Sequence, residues 1–161
     1  MTTTREASPT LRSLVQPNLI FPGLAGSDRA SVLRELALRL AEGAVVTDGE
    51  ALYRLLEERE ELGSTGIGSG VAVPHCKVKG LRQVILAVGI AANAIDFDSA
   101  DGEPVRVFFV LLSPHHQPAA HLQSLAAISH WVQGGGRLDR LLACRDGDDV
   151  FATLTADEDG D

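Results

Sequence analysis

At 161 residues, 45% of them apolar and 22% charged, the chain has the composition of one globular domain long enough to bury a core. Its net charge of −8 argues against a nucleic-acid partner, because a phosphate backbone is met by clustered Lys and Arg. Only two cysteines occur, Cys76 and Cys144, with no CxxC motif, and this excludes a disulfide framework.

Residues 1–10 are small and polar, with Pro9 near their end, and read as a disordered N-terminus. The chain opens without an apolar h-region and no run approaches about 18 apolar residues. Direct membrane insertion is therefore not expected, and the cytoplasm is the expected location. Residues 11–155 read as the folded domain and residues 156–161 as a solvated acidic tail.

A helical turn is expected at residues 11–15, and a brief strand at Leu19-Ile20-Phe21 before Pro22-Gly23. The first long helix is predicted over residues 27–41, with Ser27 as N-cap and Gly43 as its stop. Val32, Leu33, Leu36, Ala37 and Leu40 recur there at three- and four-residue spacing. A second helix opens at Thr47-Asp48-Gly49-Glu50, a capping-box pattern. Ala51, Leu52, Leu55, Leu56 and Leu62 form its candidate apolar stripe, and Gly63 ends it.

Strands are expected at residues 70–74, 84–90 and 105–112, the last almost wholly apolar, as in a central strand covered on both faces. An acidic connection at residues 95–104 carries a turn signal at Asp101-Gly102. Pro118 suits the first turn of a helix reaching Val132. His121, Leu125, Ile128 and Val132 share one stripe of it, which turns His121 toward the sheet. Gly134-Gly135-Gly136 breaks this helix, and short helices follow at 137–143 and 148–154. Alternating strands and helices give an α/β fold, one domain layered around a mixed sheet.

The densest signal is Gly63-Ser64-Thr65-Gly66-Ile67-Gly68-Ser69-Gly70, followed by Val71-Ala72-Val73-Pro74-His75. No lysine follows these glycines as a Walker loop requires, and the order helix, loop, strand reverses a dinucleotide fingerprint. Two readings remain: a structural glycine turn, or a bare backbone that lets a partner approach His75. A neutral imidazole is a good nucleophile near pH 7, and Arg59 at the preceding helix end suits a phosphoryl group. His121 is either a core-edge histidine satisfied by one hydrogen bond or a ring that converges on His75. His115, His116 and His121 lack a metal-ligand spacing, so no metal is expected. Cys76 offers a thiol nucleophile or, as a small apolar side chain, core packing.

Taken together, these residues resemble the enzyme IIA domains of the mannitol/fructose class of the bacterial phosphoenolpyruvate:sugar phosphotransferase system. The resemblance runs from Glu58-Arg59-Glu60 through Leu62-Gly63-Ser64-Thr65-Gly66-Ile67-Gly68 to Gly70-Val71-Ala72-Val73-Pro74-His75. It resumes at Ile95-Asp96-Phe97-Asp98, at Asp101-Gly102-Glu103-Pro104-Val105 and at His121-Leu122 with Leu125-Ala126. It implies a mixed, mostly parallel sheet with helices on both faces. His75 would accept a phosphoryl group from phospho-HPr, a small histidine phosphocarrier, with Arg59 and His121 as companions. Thr65, Gly66 and Gly68 would form the loop of the phosphate site. No cofactor is implied.

Two departures stand out: Cys76 in place of a frequent glycine, and His115-His116 in place of a usual acidic pair. The run from Pro114 to Leu122, and the lack of an attached transporter segment, favour a nitrogen-regulatory type acting by phosphorylation-dependent binding to target proteins. The alternative is a fructose- or mannitol-specific component that passes phosphate to a IIB domain of a sugar transporter. A metal- or thiol-dependent hydrolase is the remote alternative.

Overall fold

The computed structural model describes residues 9–156. The expected disordered N-terminus and acidic tail lie outside them, apart from Pro9, Thr10 and Ala156. In chain order the elements are α1 (Leu11–Leu14), β1 (Val15–Leu24), α2 (Arg29–Glu42) and α3 (Gly49–Glu61). Three short strands follow, β2 (Gly66–Gly68), β3 (Val71–Ala72) and β4 (His75–Lys77), then the long strands β5 (Ile85–Ile95) and β6 (Val105–Ser113). Helices α4 (Pro118–Val132), α5 (Arg137–Leu142) and α6 (Gly147–Thr155) close the described chain.

Strand β6 is central, and its side chains alternate between two cores as a strand buried on both faces must. Phe108, Val110 and Leu112 join Val32, Leu36 and Leu40 of α2 with Leu52 and Leu56 of α3. Val107, Phe109 and Leu111 join Leu11 of α1, Ile128 and Trp131 of α4, Leu141 of α5 and Val150 of α6. The sheet runs β1-β5-β6-β3-β2, and β4 also pairs with β6. Pairings β1–β5, β3–β6 and β4–β6 are parallel, whereas β5–β6 and β2–β3 are antiparallel. This is the α/β layering with helices on both faces that the alternation of elements implies. Among the described residues, no helix is long and apolar enough to cross a membrane.

Several local expectations shift. Asp28, not Ser27, caps α2: its carboxylate accepts from the Ser31 N–H at 2.8 Å while Ser31 Oγ accepts from the Asp28 N–H at 3.1 Å. Asp48, not Thr47, caps α3, accepting from the Ala51 N–H at 3.1 Å. In both cases the carboxylate sits one residue closer to the first turn, where the exposed N–H groups are. β1 is longer than the expected triplet, because pairing with β5 extends it past Pro17 and Pro22. As an edge strand it tolerates residues without an N–H.

Of the expected strand at 70–74 only β3 forms, and a separate strand, β4, begins beyond it at His75. Val73-Pro74 interrupts the line along β6, although the Pro74 carbonyl still accepts from the Leu111 N–H at 2.9 Å. The buried side of α3 is Leu52, Tyr53, Leu56 and Glu60, whereas Leu55 is 38% and Leu62 86% exposed.

Candidate functional site

The break at Val73-Pro74 creates the site. Because Val73 has left the strand line, its carbonyl is available to a side chain, and it lies 2.7 Å from His75 Nδ1. A carbonyl oxygen only accepts, so Nδ1 carries the ring proton and Nε2 keeps a lone pair. Arg59, in the last turn of α3, donates its Nε–H to that Nε2 at 3.2 Å and an Nη1–H to the Gly63 carbonyl at 2.9 Å. His75 itself is half-buried, and its backbone is fixed by pairing with Leu111 of β6. Burial pushes its pKa below the usual histidine value, and the Arg59 charge adds to this against the opposing pull of the Val73 carbonyl. The ring is therefore neutral near pH 7, with Nε2 its nucleophilic nitrogen.

His121 reaches the same place from the first turns of α4. Its ring lies 5.4 Å from that of His75, centre to centre, at an interplanar angle of 55°. Nδ1 is 2.6 Å from Oγ of Ser113, the fully buried last residue of β6. Burial lowers its pKa too, helped by His75 whenever that ring is protonated and by the nearby Lys77 charge.

Arg59, His75, Cys76, Lys77 and His121 line an open depression of about 590 Å³. Leu55, Leu62, Glu58 and Glu61 complete its lining, so a charged centre meets an apolar and acidic border. The Cys76 thiol is pushed up to about 12 by burial and stays protonated at neutral pH, which does not suit a thiolate nucleophile. His115 and His116 are exposed in the turn before α4, away from this lining. Among the described residues no group of three or more His, Cys, Asp or Glu is arranged to hold a metal ion.

Of the six site residues expected from the sequence, His75, His121 and Arg59 meet at the depression, whereas Thr65, Gly66 and Gly68 lie outside its lining. Thr65 is buried, donating its N–H and hydroxyl to the carboxylate of Glu60, itself only 4% exposed. Burial raises the Glu60 pKa, opposed by those two Thr65 hydrogen bonds. Gly66 packs against Ser99: a Cβ there would lie 2.2 Å from its Oγ. Gly68 faces the Asp101 carboxylate, which accepts from the Ser69 N–H at 3.0 Å.

The Val73 carbonyl, Ser113, Glu60 and Lys77 join this region without a distinctive mark in the sequence. Ser113 hides at the end of an apolar strand and Glu60 inside the acidic run 57–61. The one available signal was position: Glu60 falls one helical turn after Leu56, on the buried stripe of α3.

Comparison with known proteins gives the family of the chain. Residues 13–157 match the family described as phosphoenolpyruvate-dependent sugar phosphotransferase system, EIIA 2. A nitrogen regulatory protein of Bradyrhizobium diazoefficiens is 35% identical over 144 residues, covering 89% of this chain and 94% of its own. A fructose-specific EIIA component of Haloferax volcanii is 36% identical over 109 residues, covering 67% of this chain and 71% of its own. The crystal structure of nitrogen regulatory protein IIA-Ntr from Neisseria meningitidis superposes with a TM-score of 0.82 at 27% identity, covering 90% of this chain and 99% of that one. The chain therefore belongs to the EIIA 2 family of the phosphoenolpyruvate-dependent sugar phosphotransferase system.

Proposed function

We propose that this chain is a cytoplasmic phosphoryl carrier of the nitrogen-regulatory type: it accepts a phosphoryl group from an HPr-type phosphocarrier on His75 Nε2. The observation that carries this reading is the state of the ring. Its Nδ1–H is tied to the Val73 carbonyl, and its Nε2 lone pair faces an open depression beside a guanidinium and a second imidazole.

In the transfer step the Nε2 lone pair forms a new N–P bond while the N–P bond of the incoming phosphohistidine breaks. The electron pair of the broken bond returns to the donor imidazole, and the His75 proton stays on Nδ1, hydrogen-bonded to the Val73 carbonyl. Little covalent work falls to the protein beyond alignment and charge neutralisation. Arg59 must release the Nε2 lone pair and take up a phosphoryl oxygen, a short swing because Gly63 holds its other end. Thr65, bound through its N–H and hydroxyl to Glu60 of α3, ties down the backbone that follows the helix and so keeps Arg59 in reach. The open depression leaves the phosphohistidine accessible to a second partner.

What supports the regulatory type is the 35% identity with a nitrogen regulatory protein along almost its whole length. A second reading, a fructose-type component that hands phosphate to a IIB domain, is supported by the fructose-specific relative at 36% identity over a shorter span. Incubation with phosphoenolpyruvate, enzyme I and HPr followed by mass spectrometry is expected to give one acid-labile, base-stable phosphate, absent from His75→Ala. Labelling that persists in His75→Ala overturns the acceptor assignment. Pull-downs of phosphorylated and unphosphorylated protein separate the two readings: a IIB transporter domain as the sole phosphorylation-dependent partner selects the second.

A further inference from the structure

We propose that Ser113 is a positioning residue: its hydroxyl donates to His121 Nδ1 and holds the His121 ring as the tautomer that carries its proton on Nε2. The geometry begins with β6. Ser113 ends that strand with no exposed surface, its residue pairs with Lys77 of β4, and its carbonyl accepts from the Val78 N–H at 2.9 Å. The backbone that carries the hydroxyl is thus locked into the sheet. Among the described residues, the group within hydrogen-bond reach of Ser113 Oγ is His121 Nδ1, at 2.6 Å, and both side chains are buried.

A buried hydroxyl whose proton finds no acceptor costs about 1–3 kcal/mol. The arrangement in which Oγ–H donates to an unprotonated Nδ1 satisfies both groups, and it moves the imidazole proton to Nε2. A neighbouring ring thereby acquires the opposite tautomer to His75. The Val73 carbonyl leaves His75 a lone pair at Nε2, and Ser113 leaves His121 an N–H at Nε2, on rings 5.4 Å apart. One imidazole is set to attack and the other to donate to a phosphoryl oxygen as charge builds there. That pairing of roles rests on the phosphoryl-acceptor reading of His75, whereas the tautomer assignment does not.

The test uses the unphosphorylated full chain, labelled with nitrogen-15, and long-range proton–nitrogen correlation spectra of the histidine rings. In the wild type, His121 is expected to show a proton-bearing Nε2 and an unprotonated Nδ1, and His75 the reverse. Ser113→Ala should give His121 a tautomer-averaged pattern while His75 keeps its own, and Ser113→Thr, which retains the hydroxyl, should keep the wild-type pattern. A His121 proton on Nδ1 in the wild type overturns the proposal, as does an unchanged pattern in Ser113→Ala. If Thr does not fit the buried position and the variant unfolds, the Ala variant still decides. In transfer assays Ser113→Ala should slow phosphorylation about tenfold with unchanged affinity for the donor carrier. Wild-type protein that takes no phosphate would overturn the acceptor reading and leave the spectroscopic result to stand or fall alone.

Discussion

The depression around His75 and the glycine turn from β2 into β3 are a few residues apart in the chain, yet they are built by opposite means. The turn is pinned to its neighbours although Ile67 and Ser69 stay exposed. Ser69 and Gly70 pass through it at φ of +58° and +81°, Gly66 lies against Ser99, and the carboxylates of Glu60 and Asp101 bind its N–H groups. At the depression, by contrast, Arg59 is aimed at His75 Nε2 with the His121 ring beside it, and the space above is open. Dense glycine here records left-handed backbone at Gly68 and Gly70 and close packing on Ser99 at Gly66, whereas His75 is presented by a break in a strand.

This contrast can be broken from either side. The largest effect is expected at the depression, where His75→Ala should abolish phosphate incorporation while unfolding free energy moves by less than about 1 kcal/mol. Equal losses of both in denaturation and labelling assays would merge the two regions into one. Next comes Arg59→Ala, which removes the guanidinium beside Nε2. Transfer should slow about 100-fold with an unchanged circular dichroism spectrum, and a wild-type rate would remove Arg59 from the mechanism.

Gly66→Ala should give the mirror image. Its new methyl meets Ser99, so stability should fall by about 1–3 kcal/mol, read as a lower Tm. Transfer measured well below the melting transition should stay near wild type. Pairing it with Ser99→Gly should recover part of the loss, since Ser99 supplies all three nearest atoms.

The smallest effect is on pH. Burial lowers the His75 pKa below its reference of 6.5, so just below that pH the unfolded chain binds more protons than the folded one. Stability should therefore erode as pH falls through this window, and denaturant titrations should give a shallower slope for His75→Gln. For the same reason the ring should remain a competent acceptor somewhat below pH 6.5, the value of an unperturbed histidine.

Helix α4 could be read from the sequence to the residue, because Pro118 sets its first turn and the triple glycine ends it. The all-apolar run of β6 likewise announced a strand covered on both faces. The capping residues of α2 and α3 were each misplaced by one position, since adjacent Ser-Asp and Thr-Asp pairs offer two caps and only chain direction selects between them. In the site, residue type and spacing pointed to His75, Arg59 and His121. The partners that orient the two rings were hidden for different reasons. Ser113 lies eight positions before His121 and becomes its neighbour only when β6 packs on α4, and a backbone carbonyl has no letter in a sequence.

That last point bears on how the protein can change over generations. The contact that decides which nitrogen of His75 keeps its lone pair comes from the peptide oxygen of Val73, and no codon change at position 73 deletes an oxygen common to every residue. The side chain there can vary, but the Nε2 lone pair is inherited with the course of the backbone through Pro74. The second imidazole is oriented by a serine hydroxyl, which a single base change can remove. On the phosphoryl-carrier reading, lineages descending from such a protein would keep the acceptor nitrogen fixed while the speed of transfer drifts.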